Sequence, residues 1–314
     1  MAGVAVLTDS TASLPPERAA ELGITVVPLR VILDGRDLPD DGVPLTRTDL
    51  ASAMRAGATV TTSQPSAATF TDAMVAALDA GADAVVSLHI SAELSGTGET
   101  ARVAAAAAAD ARPGARIHAV DTRTAAAGTG LAAIAAAEVA AAGGDVERVL
   151  AAAREVAARS RVFFVVADLH HLARGGRIGQ ARAFVGSALG IRPILGIEAG
   201  RIAVLETVRG AARARRRLVE HAVRAAGGPG AATPRGTAAR VRVAVHHFDA
   251  ADDAHALATQ VRERLEETGA DVAELIFSEV TAVIGAHTGP GCLGLVVAPA
   301  GPAARASSTS RSEV

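Results

Sequence analysis

The amino-acid sequence predicts an α/β protein with two domains, on three observations. Short apolar runs alternate with amphipathic helical stretches through the first half, which is the rhythm of βα units around a parallel sheet. The chain has 314 residues, enough for two domains of ordinary size. The most strand-like run, VFFVVADL at 162–169, begins a second series of strands and helices. We therefore expect an N-terminal parallel-sheet βα domain at 1–160, a C-terminal α/β domain with a mixed sheet at 161–300, and a disordered tail at 301–314.

In the first half, strands alternate with helices whose ends can be recognised. The segment 45–57 starts with a Thr-x-x-Asp cap pattern and ends on glycine, which together predict a complete helix. Pro28 interrupts a strand-like run at 24–33, so this strand is expected at a sheet edge or a bend. Ser66 opens an amphipathic helix and is expected to cap it. The other predicted elements are strands at 4–10, 84–90 and 116–122 and a helix at 15–23.

The second half continues with strand-like and helical runs. An arginine-rich stretch predicts one helix, and residues 250–269 predict another. The segment 224–240 is rich in Gly, Pro and Ala, which is typical of an elongated surface loop. The further strand-like runs are VGSALGIRPILGI, IAVLETV, VRVAVHHF and VAELIFSEV.

Composition and charge restrict the class of protein. Hydrophobic residues make up 50% of the chain but aromatic residues only 2%, so the core must consist of Ala, Val, Leu and Ile. A formal net charge of -2 argues against a nucleic-acid-binding protein that relies on a broad basic field. A single cysteine, Cys292, excludes an intrachain disulfide framework and a multi-cysteine metal site, and a small buried thiol is the favoured interpretation.

The sequence indicates neither a signal peptide nor a membrane-spanning segment. The start, MAGVAVLTDS, lacks the basic residues and the long apolar core of a signal peptide. The most apolar long segment is mostly Ala and contains Glu138, whereas a bilayer span requires about 20 strongly apolar residues. We therefore expect a cytoplasmic protein without a transmembrane segment.

Three hydroxyl-rich turns are candidates for ligand binding. DSTAS follows the first strand, TTSQPS occupies 61–66, and SAELSGTGE follows the strand at 84–90. Each precedes a helix, whose free N–H groups and positive dipole end favour an anion at the edge where ligands bind in parallel sheets. For any one turn, helix capping is the better interpretation, and only the three together make binding competitive. The chain has no lysine, so none of these turns is a P-loop.

A second group of candidates lies in the second half. His287 stands among glycines in GAHTGPGCLG, a pattern expected to form a loop that approaches a ligand or another segment closely. Taken alone, a histidine that holds its own loop in place is the better interpretation, and a ligand-binding histidine is the alternative. His170 and His171 are adjacent and therefore do not form a helical metal pair. Arg177 is expected on a tight turn. The arginines between 209 and 217 form either a solvated helix face, which is favoured, or a docking patch for an acidic protein.

Seven motifs follow one another along the chain: DSTASLP, TTSQPS, ISAELSGTGETA, DTRTAAAGTG, LHHLARGGRI, IRPIL and GAHTGPGCLG. Taken in order, these motifs resemble those of the DegV family of bacterial fatty-acid-binding proteins. The matches run in register from residue 4 to about 297, and seven motifs in the right order make a strong signal.

The resemblance implies a two-domain carrier with a long-chain fatty acid bound between the domains. It implies that Thr62 and Ser95 hold the carboxylate, with His287 near the same head group. It also implies that a separate ATP-dependent fatty-acid kinase makes the acyl-phosphate, so the chain itself has no catalytic residue, metal or cofactor. The remaining residues that it assigns are Ser63, Gly96 and Thr97 to the ligand and Arg177 and Arg209 to the kinase.

Departures from the family pattern and two other functions complete the sequence-based picture. Gly98 stands where the family has Tyr, and Thr122 and Ala126 replace two serines, which affects the shape of the pocket and the preferred chain length. One alternative is a hydrolase that uses Ser95 and His287 on an acyl substrate, although no G-x-S-x-G elbow is present. The other is a protein that binds a small anion or a sugar phosphate at the helix N-termini.

Overall fold

A computed structural model describes residues 3–185, 190–228 and 240–302 of the chain. The strands, in chain order, are β1 (Gly3–Asp9), β2 (Thr25–Val27), β3 (Arg30–Leu33), β4 (Arg36–Pro39), β5 (Val60–Ser63), β6 (Ala82–His89), β7 (Arg116–Asp121), β8 (Arg161–Val165), β9 (Ile191–Glu198), β10 (Arg201–Arg209), β11 (Val241–Phe248), β12 (Val272–Glu279) and β13 (Cys292–Pro299). The α-helices are α1 (Pro16–Glu21), α2 (Arg47–Arg55), α3 (Ala67–Asp79), α4 (Thr97–Ala111), α5 (Ala127–Ala141), α6 (Val146–Arg159), α7 (His170–Arg174), α8 (Ala211–Ala225), α9 (Ala251–Glu267) and α10 (Ala282–Thr288). Within these described ranges, no helix combines the length and the apolar character that a bilayer crossing requires.

The described residues group into two units by their contacts. The first unit contains 3–30, 63–159 and 300–302, and the second contains 31–62 and 160–299. This grouping differs from a single boundary at residue 160, because the segment 31–62 lies with the second unit. The predicted tail lies outside the described residues from 303 onwards, as does most of the predicted loop at 224–240.

A four-stranded parallel sheet forms the centre of the first unit, as the βα rhythm predicts. Its strand order is β2-β1-β6-β7, and every neighbouring pair is parallel. The interruption at Pro28 also has the expected effect, since β2 ends before it at the sheet edge and β3 begins after it in a different sheet. The parallel arrangement of this sheet confirms the predicted α/β class with a parallel first sheet.

Small side chains allow the helices of the first unit to pack closely. Helix α5 is buried along most of its length, and most of its residues are Ala, Gly or Thr. At Gly130 an added Cβ would lie 2.6 Å from the carbonyl oxygen of Ala12, so the helix contacts backbone directly. On α3 and α4, Phe70, Met74 and Ala104 pack with strand residues in one apolar cluster. Small side chains, rather than large aromatic ones, therefore fill the space between the helices and the sheet of the first unit.

A six-stranded mixed sheet forms the second unit, with strand order β10-β9-β8-β13-β11-β12. Strands β11 and β12 are parallel, while the other neighbouring pairs are antiparallel. The mixed second sheet is confirmed, although β13 lies outside the predicted strands. This strand is central and fully buried, because it pairs with β8 on one side and β11 on the other. Helices α8 and α9 contribute Leu218 and Val261 to the apolar cluster on one face.

A three-stranded sheet, in the order β4-β3-β5, accompanies α2 in the second unit. Two long-range hydrogen bonds tie this segment to the region before α10. The Nε of Arg47 donates to the carbonyl oxygen of Val280 at 3.0 Å. An oxygen of Asp40 accepts from the N–H of Ala282 at 2.8 Å. These bonds join residues 31–62 to a part of the second unit that is more than 200 residues away in the sequence.

Candidate functional site

Thr62 and His287 form the centre of a candidate site in the second unit. The hydroxyl oxygen of Thr62, on β5, lies 2.8 Å from Nε2 of His287. His287 belongs to the last turn of α10, which ends at Thr288 and is capped by Gly289, so the expectation that it stands on a loop is wrong. Helix α10 packs against α2 and α7, and the N–H groups of Gly285 and Gly289 donate to the carbonyl oxygens of Thr281 and Gly285 at 2.9 and 2.8 Å, so the segment is helical despite its glycines.

Two glycines are required here because imidazole rings lie against their backbone. A Cβ added to Gly175 would be 2.1 Å from Nδ1 of His287. At Gly289 a Cβ would be 2.3 Å from Cδ2 of His171, and the backbone φ of +77° is also unfavourable for other residues. The glycines of GGR and GPG therefore allow His287 and His171 to approach the neighbouring chain segments.

The Thr62–His287 pair lines a polar cavity of about 120 Å³. Its lining side chains include two guanidinium groups, two imidazoles and two hydroxyls but no carboxylate, so the cavity suits an anionic group. The volume is below the range of roughly 300–1,000 Å³ of pockets for whole small molecules, which makes this a site of head-group size. The lining residues are Met54, Val60, Thr61, Thr62, His171, Arg174, Gly175, Arg177, Ala286 and His287.

Burial and a neighbouring charge keep His287 neutral. Loss of hydration lowers its pKa to about 4, and the positive charge of Arg177 acts in the same direction. Burial likewise lowers the pKa of His171, helped by the charge of Arg174. Arg177 is held in place because its Nη1 donates to the carbonyl oxygen of Gly175 at 2.6 Å. At neutral pH the cavity therefore combines fixed arginine charges with neutral imidazoles.

The neutral ring of His287 determines what Thr62 can offer to a ligand. A hydroxyl carries a single proton, and an ionised carboxylate can only accept hydrogen bonds. If Nε2 of His287 carries the ring proton and donates to Thr62, the Thr62 proton is left to donate to an anion. The opposite tautomer would consume that proton. A carboxylate-binding site thus requires His287 as the donor to Thr62.

Ser95 lies in the first unit, at the start of α4. Its hydroxyl oxygen accepts from the N–H of Thr97 at 3.3 Å and lies 2.8 Å from the Thr97 hydroxyl oxygen. The turn is tight at Gly96, where an added Cβ would be 2.6 Å from the side-chain oxygen of Gln64. Gln64 belongs to the TTSQPS stretch, so the turn before α3 and the turn before α4 are in contact at this point.

The predicted cap of α3 is confirmed at Ser66. Its hydroxyl oxygen accepts from the N–H of Thr69 at 3.1 Å, as an N-cap residue does. This separates Ser66, whose hydroxyl serves the helix, from Thr62 in the same stretch, whose hydroxyl lies on His287. Ser63 ends β5 and is partly buried.

The two arginines assigned to a partner differ in exposure. Arg177 is partly buried and lines the cavity, whereas Arg209 is exposed at the end of β10. On the following helix, Arg217 is bonded to Glu206 with Nε–O distances of 2.9 Å. Arg215 lies 3.4 Å from a carboxylate oxygen of Asp253. Arg215 and Arg217, two of the arginines on α8, therefore already have acidic partners within the chain.

The other chemistry-bearing residues do not extend the site. Cys292 is buried, and burial raises its pKa to about 12, which agrees with an unreactive thiol. Nδ1 of His170 lies 2.5 Å from a carboxylate oxygen of Asp168. His171, in contrast, lies against Gly289. In the part of the chain that the structure describes, no group of three or more His, Cys, Asp or Glu side chains is arranged to hold a metal ion.

Several site residues could not be identified from the sequence alone. His171 stands beside His170, and nothing local indicates which ring enters the cavity. Met54, on α2, looks like an ordinary core residue of an amphipathic helix. Arg174 had the strongest available signal, because it precedes the GGR turn by one residue. The three join the site only through the packing of α2, α7 and α10.

Comparisons with known proteins agree with the motif order. The family model described as "Uncharacterised protein, DegV family" matches residues 3–300. A DegV domain-containing protein of Streptomyces coelicolor is 46% identical over 294 residues, covering 94% of this chain and 98% of that protein. One from Deinococcus radiodurans is 37% identical over 298 residues, covering 94% and 98%.

Solved structures support the same assignment. A fatty-acid-binding DegV family protein from Thermus thermophilus is 35% identical with a TM-score of 0.82, covering 95% of this chain and 99% of that chain. DegV of Bacillus subtilis, a fatty-acid-binding protein, is 29% identical with a TM-score of 0.79, covering 95% and 99%. The match over nearly the whole chain, together with the sheet orders and the ordered motifs, shows that the chain belongs to the DegV family.

Proposed function

We propose that this protein binds a long-chain fatty acid and presents its carboxylate to an ATP-dependent fatty-acid kinase. Thr62 and Ser95 donate hydrogen bonds to the carboxylate, and His287 holds the Thr62 hydroxyl in the donating orientation. The observation that carries the proposal is the 2.8 Å Thr62–His287 pair in a cavity that has arginines but no carboxylate. The fatty-acid ligands of the related Thermus and Bacillus proteins support it.

The chemistry of a carboxylate explains this donor set. An ionised carboxylate that leaves water must recover hydrogen bonds from several donors. Hydroxyls provide them without the tight pairing of a buried salt bridge, and Arg177 adds a positive field from the cavity wall. Such binding is reversible, as a carrier requires. Ser63, Gly96 and Thr97 complete the ligand-binding turns in this proposal.

The acyl chain provides affinity and the head group provides orientation. Burying methylenes contributes about 0.8 kcal/mol each, so a sixteen-carbon chain contributes on the order of 10 kcal/mol before the costs of binding. A cavity of about 120 Å³ has room for the head group but not for such a chain. The tail therefore occupies aliphatic surface outside this cavity.

The kinase, and not this chain, performs the chemistry in this proposal. His287 is engaged with Thr62 and is neutral, which suits a positioning role better than that of a base for a serine nucleophile. Ser95 shares its hydroxyl with Thr97 at the start of α4. Arg209 is exposed and is the clearer contact for an acidic surface of the kinase. We place the carrier in the cytoplasm, where the kinase has ATP.

A small inorganic or sugar-phosphate anion is the second candidate ligand, because the cavity is small and carries two arginines. Lipid extraction from purified protein, followed by mass spectrometry, separates the two. We expect one fatty acid per chain, and we expect oleate or palmitate to raise the Tm of delipidated protein. No extracted fatty acid and a Tm raised only by phosphate would replace the fatty-acid proposal with the small-anion function.

A further inference from the structure

Asp9 and His89 form a buried pair that the proposed site does not use. Both side chains are completely buried, and Nδ1 of His89 lies 3.0 Å from a carboxylate oxygen of Asp9. Asp9 ends β1 and His89 ends β6, so the pair joins the carboxyl ends of two adjacent parallel strands. In an aliphatic sheet, such a pair needs full hydrogen bonding to be tolerated.

The carboxylate of Asp9 has donors on both of its oxygens. One oxygen accepts from the N–H of Thr11 at 3.0 Å and from the Thr11 hydroxyl. The other accepts from Nδ1 of His89 and from the N–H of Ile90 at 3.3 Å. Since a carboxylate cannot donate, Nδ1 of His89 must carry a proton. The far side of the ring, Nε2, lies 2.8 Å from the hydroxyl oxygen of Ser87.

These bonds fix the start of the turn that carries Ser95. Residue Ile90 is tied to Asp9, and the carbonyl oxygen of His89 accepts from the N–H of Thr122 at 3.0 Å and from its hydroxyl at 2.7 Å. One residue later, the N–H of Ser91 donates to the carbonyl oxygen of Thr124 at 2.9 Å.

Inside the turn, Ser91 is hydrogen-bonded to Ser95. The carbonyl oxygen of Ser91 accepts from the N–H of Leu94 at 2.9 Å and from that of Ser95 at 3.1 Å. The hydroxyl oxygen of Ser91 accepts from the N–H of Glu93 at 3.3 Å. The position of the Ser95 backbone therefore depends on where Ser91 is held, and Ser91 directly follows the residues bound to Asp9 and Thr122.

We propose that His89 is a positioning residue for ligand binding, which through Asp9 holds the turn at 90–96 so that Ser95 faces the carboxylate. This inference rests on the proposed role of Ser95. Apolar residues of similar size could replace such a buried polar pair without loss of stability. A role in positioning Ser95 explains why Asp9 and His89 are present instead. The bond that matters is the Nδ1–Asp9 bond, because Asp9 also holds Ile90.

Two substitutions at His89 separate positioning from stability. His89→Asn keeps a donor near the place of Nδ1, whereas His89→Leu removes it. We expect His89→Leu to weaken oleate binding by about 10-fold or more at a temperature where the variant is fully folded, and His89→Asn to recover most of the loss. Val85→Ala, at a fully buried core position of the same strand, is the control for stability alone: it lowers the Tm and leaves oleate affinity unchanged.

A double-mutant cycle tests whether His89 acts through Ser95. If it does, His89→Leu adds little to the loss already caused by Ser95→Ala, so the two effects are not additive. Additive losses, or equal losses in the Leu and Asn variants, would overturn the proposal. Should both His89 variants fail to fold, Asp9→Asn provides the same comparison from the other side of the pair.

Hydrogen exchange without ligand distinguishes a failure of this inference from a failure of the proposed function. We expect His89→Leu to raise hydrogen exchange at the amides of residues 90–97 by about 10-fold or more relative to Val85→Ala, with exchange in the rest of β6 unchanged. If the wild-type protein binds no fatty acid, the proposed function fails and the exchange result alone decides whether His89 holds the turn. Unchanged hydrogen exchange at residues 90–97 in His89→Leu would contradict the role of His89 in holding the turn.

Discussion

The backbone of Gly175 lies directly against the imidazole of His287, so that a Cβ at position 175 would be 2.1 Å from Nδ1. The φ of Gly175 is -72°, which any residue can adopt, so contact alone requires glycine here. The same imidazole lies 2.8 Å from Thr62 through its other nitrogen. Displacing the ring from Gly175 therefore also moves it relative to the Thr62 hydroxyl.

We expect Gly175→Ala to weaken fatty-acid binding by roughly 10-fold, because the pushed ring no longer orients Thr62. It should also lower the free energy of unfolding by about 1–3 kcal/mol through overpacking. Isothermal titration with oleate and urea unfolding measure the two effects. In a His287→Ala background the clash is gone, so the stability loss from Gly175→Ala should nearly disappear. A loss of the same size in both backgrounds would show that the ring contact is not its cause.

Removing the Thr62 hydroxyl should weaken fatty-acid binding by about 10-fold or more, since hydrogen bonds to charged groups contribute about 1.5–3 kcal/mol. The comparison is Thr62→Ala against Thr62→Ser, which keeps the donor. Ser66→Ala is the matched control in the same stretch, because that hydroxyl caps α3 and should affect stability only. Equal affinities for the Ala and Ser variants of Thr62 would remove Thr62 from the site.

Ser95→Ala should also weaken oleate binding. The double variant with Thr62→Ala should show no saturable binding at micromolar oleate concentrations. The physical reason is that the carboxylate would be left without its hydroxyl donors. Mass spectrometry of lipid retained through purification gives an independent measurement. Full retention of fatty acid by the double variant would contradict the assignment of both residues.

Stability should fall as the pH is lowered from about 6.5 towards 4, in part because of His287. Burial depresses its pKa in the folded state to about 4, so between these values the unfolded chain binds a proton that the folded protein does not. Unfolding is then favoured as the pH falls, and the effect levels off below about 4. Each such histidine contributes at most about 3 kcal/mol.

His246 contributes in the same pH window, since burial lowers its pKa to about 4 as well. The test is therefore the difference between wild type and His287→Gln in urea unfolding at several pH values without ligand. We expect the variant to keep roughly half of the pH dependence that the two histidines produce. An identical dependence in both proteins would show that His287 does not titrate as its burial implies.

Arg209→Ala should leave oleate affinity unchanged and reduce acyl-phosphate formation by the kinase. The side chain is exposed at the end of β10, where an acidic partner surface could pair with it. The measurement is the KM of the kinase for the loaded carrier, and Arg201→Ala, also exposed on β10, is the control. Equal KM values for the two variants would remove Arg209 from the partner contact.

Much of the fold follows from the sequence because it depends on local patterns. Apolar periodicity predicts the strands and helices of the first unit, Pro28 predicts the break between β2 and β3, and the hydroxyl of Ser66 predicts the cap of α3. These features arise from backbone preferences within a few residues. The motif order likewise indicates the DegV family without any knowledge of distances.

The remaining features depend on segments that are far apart in the chain. His287 is helical because α10 packs in its tertiary context, and β13 is a strand because β8 and β11 flank it. The bonds of Asp40 and Arg47 to the region of Val280, more than 200 residues away, have no local signal.

The sequence by itself therefore determined the class of fold, the family and the identity of the hydroxyl-rich turns. Only the tertiary structure decided that Thr62 bonds to His287, that arginines share their cavity, and that Asp9 and His89 are buried together. The physical reason is that local conformation is set by neighbouring residues, whereas hydrogen-bond partners, burial and pKa are set by whatever the fold brings within a few ångströms.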